Sequence, residues 1–280
     1  MKFATRFWFS VVLVVVLVPF LNAQQRTASS AAATTLAVSE SNAPDFCPHL
    51  FSAGSGNNYL RYCVTDNGNI TLIETPLGHS HMGTNGEGYG LCQESPAVEY
   101  HDYAVSDSGN WQPSQIVSLT KSLIKISRTT SDGRWTLVQT ISKVAATGSI
   151  KVVMALTNNA RSDQVAYLLR FADIDPDGKV SGSLATASLQ SAGAIAVIAD
   201  TPHYGLQLLS LGKSPFGYQQ GFVLSADTLP NACDFASGID LQGFSFGEGH
   251  PGYNPMVEYV YAGAVPAGQT LTVTMNYRGT

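Results

Sequence analysis

Short segments in which apolar and polar residues alternate follow one another along the chain, with turn residues between them. "NYLRYCVT" (58–65) is joined to "ITLIET" (70–75) by "DNGN", and "WTLVQTISKV" (135–144) follows "QIVSLTKSLIKISRTT" (115–130) after "SDGR". A period of two is the pattern of a strand with one buried face, and Asn-Gly or Asp-Gly between two such runs is typical of a hairpin. The pattern predicts an all-β chain whose sheets are buried on one face.

Segments of the same kind continue through the second half of the chain. They are "SIKVVMALTNN", "QVAYLLRFADI", "GAIAVIAD", "YGLQLLSL", "GFVLSA", "MVEYVYAGAV" and "QTLTVTMNYRG". The sequence contains no convincing amphipathic helix pattern after the N-terminal region and no repeat of fixed period, which disfavours a propeller or solenoid. We therefore predict a single domain over residues 45–280, folded as one large antiparallel β-sandwich or as the larger supersandwich.

The N-terminal residues have the three-part pattern of a secretory signal peptide. Lys2 and Arg6 precede an apolar run over 7–21, and "LNA" supplies a small-residue cleavage site, so we expect residues 1–23 to be removed. The alternative is an uncleaved membrane anchor. That alternative is disfavoured because the run contains Pro19 and is shorter than the ~20 apolar residues that span a bilayer. We expect a secreted, periplasmic or cell-surface protein with no membrane span after cleavage.

Composition limits the partners of the exported chain. Residues 24–44 are small, polar and without periodicity, which predicts a flexible linker or disordered arm. Without Lys2 and Arg6 the chain has 15 − 2 = 13 basic and 20 acidic residues, a formal charge of −7. Proteins that bind nucleic acid carry basic patches, so we expect no nucleic-acid partner. With only 12% charged residues, the surface must be largely uncharged and polar, as in extracellular β-proteins.

Four cysteines lie in the exported part of the chain, at Cys47, Cys63, Cys92 and Cys233. An even number of cysteines in an oxidising compartment favours two disulfides, for which three connectivities are possible. We favour Cys47–Cys63, which would tie the N-terminal arm to the first strand, and Cys92–Cys233, which would close a long loop. Free buried thiols are the alternative. No C-x-x-C motif is present to support a redox site or a zinc ribbon.

The stretch "FADIDPDGKV" (171–180) carries carboxylates at alternate positions followed by Gly178. The predicted calcium ligands are Asp173, Asp175 and Asp177. Ca²⁺ takes six to eight oxygen ligands, and a short loop with three carboxylates supplies several of them. The twelfth-position Glu of an EF-hand is absent, because Leu184 stands there, so such a site would need further carboxylates such as Asp163 or Asp200. The alternative is a solvated turn with ordinary turn residues.

Histidines and glutamates in glycine-rich stretches form a second group of candidates. His79 and His81 are two residues apart and would share one face of a strand, where they could hold a transition metal with Glu87 as a third ligand. His101 could join such a site. Ordinary hydrogen bonding of these histidines within a glycine-rich loop is the alternative.

The stretch "FSFGEGHPGYNPMVEY" (244–259) is predicted to be a long loop before a strand, and binding residues often lie on such loops. Phe246 and Tyr253 offer flat faces for sugar stacking. If the protein processes glycosides, Glu87 and Glu248 would be the carboxylate pair. The catalytic candidates are therefore Glu87, His101, Glu248 and His250.

The segment 122–177, with "WTLVQTISKVAATGSIKVVMALTNN" followed by "VAYLLRFADID", resembles the long meander of galactose-mutarotase-like supersandwiches. The resemblance covers about a fifth of the chain and implies a sandwich of that kind. In the mutarotases the strand after "TN" brings an Asn-His pair for sugar ring opening, and here that strand has no histidine. The resemblance therefore does not imply mutarotase activity. "EGYGLC" and the D-x-D stretch also resemble secreted bacterial proteins to which no activity is assigned.

These observations favour a non-enzyme. The chain has no G-x-S-x-G nucleophile elbow and no phosphate-binding loop. We predict a secreted, non-catalytic β-sandwich that binds a glycan or another extracellular or cell-surface component, with calcium as a stabilising ion. Two alternatives stay open. One is a secreted carbohydrate-active enzyme, an epimerase, lyase or hydrolase, on a supersandwich, and the other is a structural subunit of a surface layer or fibre.

Overall fold

A computed structural model describes residues 47–178, 183–198, 201–224, 229–237 and 256–280. These residues form sixteen strands, and every strand pair within the three sheets is antiparallel. The predicted all-β sandwich is confirmed. The predicted signal peptide and linker lie outside the described residues.

The three sheets differ in size. The smallest has the order β1 (His49–Ala53), β2 (Leu60–Val64) and β3 (Ile70–Glu74). The five-stranded sheet has the order β14 (Tyr218–Val223), β15 (Met256–Val265), β10 (Gln164–Ile174), β4 (Met82–Gln93) and β5 (Val98–Asp102). The largest has the order β11 (Ser183–Ala187), β12 (Ser191–Ile198), β13 (Thr201–Ser210), β16 (Thr270–Gly279), β9 (Ser149–Asn158), β8 (Trp135–Val144), β7 (Leu123–Thr129) and β6 (Gln115–Leu119). A short α-helix, α1 (Asp234–Ser237), follows β14.

Both predicted hairpins are present, β2 with β3 and β7 with β8. The run 115–130 was expected to be one strand, and that expectation is wrong, because it folds into β6 and β7, which pair with each other. The chain reverses at Thr120, whose hydroxyl accepts the N–H groups of Ser122 and Leu123, each at 3.2 Å. Threonine hydroxyls stabilise turns in this way, and the alternating pattern continues across the turn without a glycine to mark it.

The five-stranded sheet departs from the expectation of a single buried face. β8 alternates buried and half-buried residues as predicted, but β10 and β15 contain unbroken buried runs. One face of the five-stranded sheet packs in the main core with the eight-stranded sheet. Its other face, called the outer face here, is covered by a second apolar cluster that includes Tyr103, Ala232 and Phe235. A strand covered on both sides is apolar at consecutive positions.

The two disulfides are those favoured from the sequence. Cys47 is bonded to Cys63 of β2, and Cys92 of β4 is bonded to Cys233, which immediately precedes α1. The second bond holds the α1 segment against the outer face of the five-stranded sheet. Two disulfides indicate an oxidising compartment. In the part of the chain that the structure describes, none of the helices has the length and apolar character needed to cross a bilayer.

Candidate functional site

The stretch 79–85 and the stretch 173–178 come together at one end of β4 and β10, and we call this region the acid-histidine end. Two backbone hydrogen bonds join the stretches, from the N–H of Asp175 to the carbonyl of His81 at 2.9 Å and from the N–H of Asp177 to the carbonyl of Ser80 at 2.6 Å. Two groups that were predicted separately, the aspartates and the histidine pair, are therefore neighbours in space.

Asp173 and Asp175 direct their carboxylates to one point above Gly83. A Cβ atom added to Gly83 would overlap Oδ2 of Asp173 and would lie 2.6 Å from Oδ2 of Asp175. Asp173 also accepts the backbone N–H of Asn85 at 2.7 Å. Both carboxylates are buried. Burial, followed by repulsion from Asp173, raises the pKa of Asp175 to about 6. The geometry is a narrow carboxylate cradle that any side chain at position 83 would fill.

The two histidines do not share a strand face as predicted, because both lie in the connection between β3 and β4. His79 is partly exposed, its Nδ1 lies 2.9 Å from Oδ2 of Asp177, and its ring packs on Tyr204 with centroids 3.6 Å apart. His81 is fully buried, and its Nε2 lies 2.5 Å from the carbonyl of Thr75. Burial lowers the pKa of His81. The transition-metal site of His79 and His81 stays a prediction.

Other ligands expected for these metal sites are placed elsewhere or lie outside the structure. Across the described segments, no three side chains of His, Cys, Asp or Glu are grouped so that they could hold a metal ion. Asp163 cannot supplement the aspartate loop, because it precedes β10 while Asp173 is near the end of that strand. Its carboxylate instead accepts the N–H of Ala267 at 2.9 Å. Asp200 lies outside the described residues. The calcium site stays a prediction.

Glu87 lies inside the sandwich and has no exposed surface. Its Oε1 accepts Nε–H of Arg170 at 2.5 Å and the hydroxyl of Tyr277, and its Oε2 accepts the N–H of Ile70 at 2.5 Å. Arg170 is equally buried and also donates to Gln139 at 2.5 Å. A substrate could reach this carboxylate only if the surrounding strands moved apart.

The electrostatics of this buried pair favour an ion pair. Burial raises the pKa of Glu87, against the attraction of Arg170. Burial by itself lowers the pKa of Arg170, but the attraction of Glu87 outweighs burial and the net shift is upward. The guanidinium therefore keeps its charge, and the donors around Glu87 stabilise the carboxylate form.

The rest of the predicted glycoside site is not described. Glu248 and His250, and the predicted stacking residues Phe246 and Tyr253, lie outside the described residues. The pairing of Glu87 with Glu248 therefore stays a prediction.

His101 lies on β5 and contacts two side chains through its two ring nitrogens. Nε2 is 3.2 Å from the hydroxyl oxygen of Ser106, and Nδ1 is 3.3 Å from Oε2 of Glu99. Its ring is stacked on Tyr103, with centroids 4.8 Å apart and an interplanar angle of 4°. Glu99 is two residues from His101 on the same strand, whereas Ser106 returns to His101 through the turn that follows β5. The sequence singled out His101 but not these two partners.

Two adjoining hollows lie at the β14 edge of the five-stranded sheet and share Tyr218. The first, of about 260 Å³, has apolar and aromatic walls that include Tyr167, Tyr218 and Phe235. The second, of about 420 Å³, combines apolar surface with several polar side chains and is lined by Leu189, Gln190, Lys213, Ser214, Gly217, Tyr218 and Gln219. We call the two together the Tyr218 groove. The sequence did not identify this groove, because segments far apart in the chain form it.

Comparisons with known proteins support the fold and do not give a family. Neither a protein-family model nor a curated protein sequence matches the chain. Among solved structures, a bacterial glucoamylase in complex with acarbose is similar over 84% of this chain, with a TM-score of 0.51 and 10% sequence identity. The chain spans only 34% of the length of that glucoamylase. This likeness shows a shared fold.

Two further solved structures are similar to the chain at lower TM-scores. One is a proposed aldose 1-epimerase from Escherichia coli K12, with 12% identity, a TM-score of 0.47, and coverage of 83% of this chain and 99% of that one. The other is a galactose mutarotase related enzyme from Lactobacillus acidophilus, with 8% identity, a TM-score of 0.44, and coverage of 83% and 97%.

Proposed function

We propose that this chain is a secreted β-sandwich that binds carbohydrate in the Tyr218 groove. The observation that carries the proposal is the position of Tyr218 between an aromatic hollow and a hollow that carries polar side chains. Secretion is part of the proposal, and the two disulfides and the signal-peptide pattern support it.

The two sides of the groove match the two kinds of surface on a sugar. A pyranose ring presents C–H groups on its faces, and these pack against the electron-rich faces of aromatic rings such as Tyr167 and Tyr218. Its rim of hydroxyl groups needs hydrogen-bond partners. Gln190, Lys213 and Ser214 supply an amide, an ammonium and a hydroxyl in the second hollow. Ligand sites commonly combine an apolar wall with a few polar groups in this way.

A panel of immobilised oligosaccharides, probed with the wild-type protein and with Tyr218→Ala, tests this function. We expect the wild type to bind at least one oligosaccharide and Tyr218→Ala to bind it about tenfold or more weakly, because a stacking contact worth ~1.4 kcal/mol is lost. Tyr204→Ala is the matched control, since Tyr204 is also a partly exposed tyrosine but lies at the acid-histidine end. Equal binding by the wild type and Tyr218→Ala would exclude the groove.

A second candidate property is calcium binding at the acid-histidine end, and the carboxylate cradle above Gly83 is the observation that favours it. Two buried carboxylates that point to one position repel each other, and a divalent cation removes that repulsion. Asp173 and Asp175 would each supply an oxygen, and backbone carbonyls and water would complete the coordination that Ca²⁺ requires. The cation would join the end of β10 to the start of β4, which is a stabilising role.

Thermal unfolding with calcium and with chelator tests this site. Calcium at ~100 times its dissociation constant should stabilise the wild type by about 2.7 kcal/mol, which corresponds to a Tm increase of ~5–10 °C. Asp175→Asn should abolish the increase. In chelator at pH 7 the same variant should be more stable than the wild type, because the pKa of Asp175 in the folded protein is about 6 and ionising this carboxyl above that pH destabilises the fold.

The control for the calcium experiment is Asp163→Asn, which changes an aspartate just before β10, away from the cradle. It should leave the calcium response unchanged. A wild-type Tm that is the same in calcium and in chelator would contradict the calcium proposal, as would an Asp175→Asn variant that still responds fully.

A further inference from the structure

Glu99, His101 and Ser106 have the spatial arrangement that nucleophilic catalysis requires. The hydroxyl oxygen of Ser106 is 3.2 Å from Nε2 of His101, and Oε2 of Glu99 is 3.3 Å from Nδ1 on the other side of the ring. A serine, a histidine base and a carboxylate that orients the histidine are recognised by this geometry and not by their order in the sequence. We propose that these three residues form a hydrolytic site for carboxylic esters, with Ser106 as nucleophile, His101 as general base and Glu99 as positioning residue.

The surroundings of His101 favour the required tautomer. The Nδ1 atom is buried, and its approach to Glu99 is close but not aligned as a hydrogen bond. A proton on Nδ1 places an N–H beside the carboxylate and leaves Nε2 free to accept the proton of Ser106. Catalytic hydrogen bonds are often long or poorly aligned until substrate binds, so a small rotation of either side chain completes the relay.

Glu99 and His101 are each held by a contact from outside the triad. Oε1 of Glu99 accepts the N–H of Ala232 at 3.2 Å, and Ala232 adjoins Cys233 of the Cys92–Cys233 disulfide. The covalent bond thus fixes the segment that orients Glu99. The ring of His101 is held by its stacking on the buried Tyr103.

The turn that carries Ser106 is anchored on both sides. Asp102 accepts Nη1–H of Arg128 at 2.6 Å, and Asp107 lies 3.4 Å from Nη2 of the same guanidinium. Between them, Ala104 adopts φ +66°, a left-handed conformation that a non-glycine residue rarely takes. Strained backbone of this kind is common at functional sites. Ser106 is therefore held at a fixed position, and it is partly open to solvent next to exposed Val105.

The triad and the aromatic hollow of the Tyr218 groove lie on the outer face of the five-stranded sheet. A single cross-strand row in register contains Tyr218, Ala262, Tyr167, Cys92 and Glu99. Tyr167 and Glu99 are two strands apart in this row, or ~10 Å at the usual strand spacing. Cys92, with its disulfide to Cys233, stands between Tyr167 and Glu99 in this row, and Ser106 lies across the His101 ring from Glu99. The ester-hydrolase assignment itself does not rest on carbohydrate binding, because the triad geometry is independent of the groove.

The reaction consumes one ester and one water molecule. The oxygen of Ser106 attacks the carbonyl carbon while Nε2 of His101 takes the hydroxyl proton. The C–O bond to the alcohol then breaks, and His101 returns the proton to the departing alcohol, which leaves an acyl group on Ser106. Water then attacks the acyl carbon while Nε2 of His101 takes its proton. The C–O bond to Ser106 breaks and His101 gives that proton to the Ser106 oxygen, which releases the carboxylic acid and restores free Ser106.

The proposal is tested with 4-nitrophenyl acetate and with a fluorophosphonate probe on the full chain with both disulfides formed. We expect turnover by the wild type, and a fluorophosphonate adduct on the peptide that contains Ser106. Ser106→Ala should remove the adduct and lower kcat/KM at least ~100-fold. Ser131→Ala, at an exposed serine of another turn, is the matched control and should retain the wild-type rate.

The role of Glu99 has its own readout. Glu99→Gln should lower kcat of the folded protein with little change in KM, because Glu99 positions His101 without touching the substrate, and Glu99→Asp should recover part of the rate. A residue with only a structural role would change the Tm and leave kcat of the folded protein unchanged. The proposal is overturned if Ser106→Ala hydrolyses the ester at the wild-type rate. It is also overturned if the folded wild-type protein forms no adduct on Ser106.

Discussion

Replacing Arg170 by methionine should lower the free energy of unfolding by about 3–5 kcal/mol, because it leaves the Glu87 carboxylate buried without its ion partner. Glu87 has no exposed surface, and at 2.5 Å from Nε it depends on the guanidinium for charge compensation. The loss of the Arg170 hydrogen bond to Gln139 adds a second unsatisfied group in the core. A destabilisation of this size is a large fraction of the stability of an ordinary domain.

Urea denaturation of the single and double variants measures this effect. The variant with both Glu87→Gln and Arg170→Met should be at least ~1 kcal/mol more stable than Arg170→Met alone, since the uncompensated charge is gone. The control is Arg61→Met, which breaks the partly exposed pair of Arg61 and Glu74 at 3.5 Å and should cost less than ~1 kcal/mol. A double variant no more stable than Arg170→Met would mean that the two groups do not interact as described.

The second large effect concerns the disulfides, which close loops of very different lengths. The bond between Cys92 and Cys233 spans 141 residues, and the bond between Cys47 and Cys63 spans 16. From the entropy of loop closure in the unfolded chain, the long bond is worth ~5 kcal/mol and the short bond ~3 kcal/mol. Paired alanine substitutions at Cys92 and Cys233 should therefore destabilise the protein more than the same change at Cys47 and Cys63.

The folded structure strengthens that difference. Cys92 belongs to the apolar cluster on the outer face, and its bond to Cys233 holds Ala232 and Phe235 over the five-stranded sheet. Without the bond, this segment is held to the sheet by its apolar contacts and by the hydrogen bond from the N–H of Ala232 to Glu99. Denaturant titration of the two paired variants provides the comparison. A smaller loss of stability for Cys92 and Cys233 than for Cys47 and Cys63 would contradict the structural role given to the long disulfide.

Local chemistry allowed much of the fold to be predicted from the sequence. The hairpins at Gly68 and Gly133 were predictable, because Asn-Gly and Asp-Gly turns depend on residues next to one another in the chain, and both glycines have positive φ. The turn at Thr120 was missed because it is stabilised by a hydroxyl group and contains no glycine that would mark it in the sequence. The double burial of β10 was not predicted as such, since it depends on the α1 segment, which is distant in sequence.

The candidate sites were harder to predict, because they depend on contacts between distant segments. Glu87 was a catalytic candidate because it is a glutamate in a glycine-rich stretch. Arg170, 83 positions away, makes it half of a buried ion pair. His79 and His81 were expected to act together, but the connection after β3 buries His81 and directs His79 to Asp177. A pattern of residue types shows which groups could react, and only the strand register shows which of them meet.

A crystal structure of the protein with the oligosaccharide that it binds most tightly on the panel is the most direct test of the proposed function. We predict a pyranose ring packed on the face of Tyr218, with its hydroxyl groups bonded to polar side chains of the second hollow such as Gln190 and Lys213. A sugar bound at another surface, with the ring of Tyr218 bare, would contradict the assignment of carbohydrate binding to the groove.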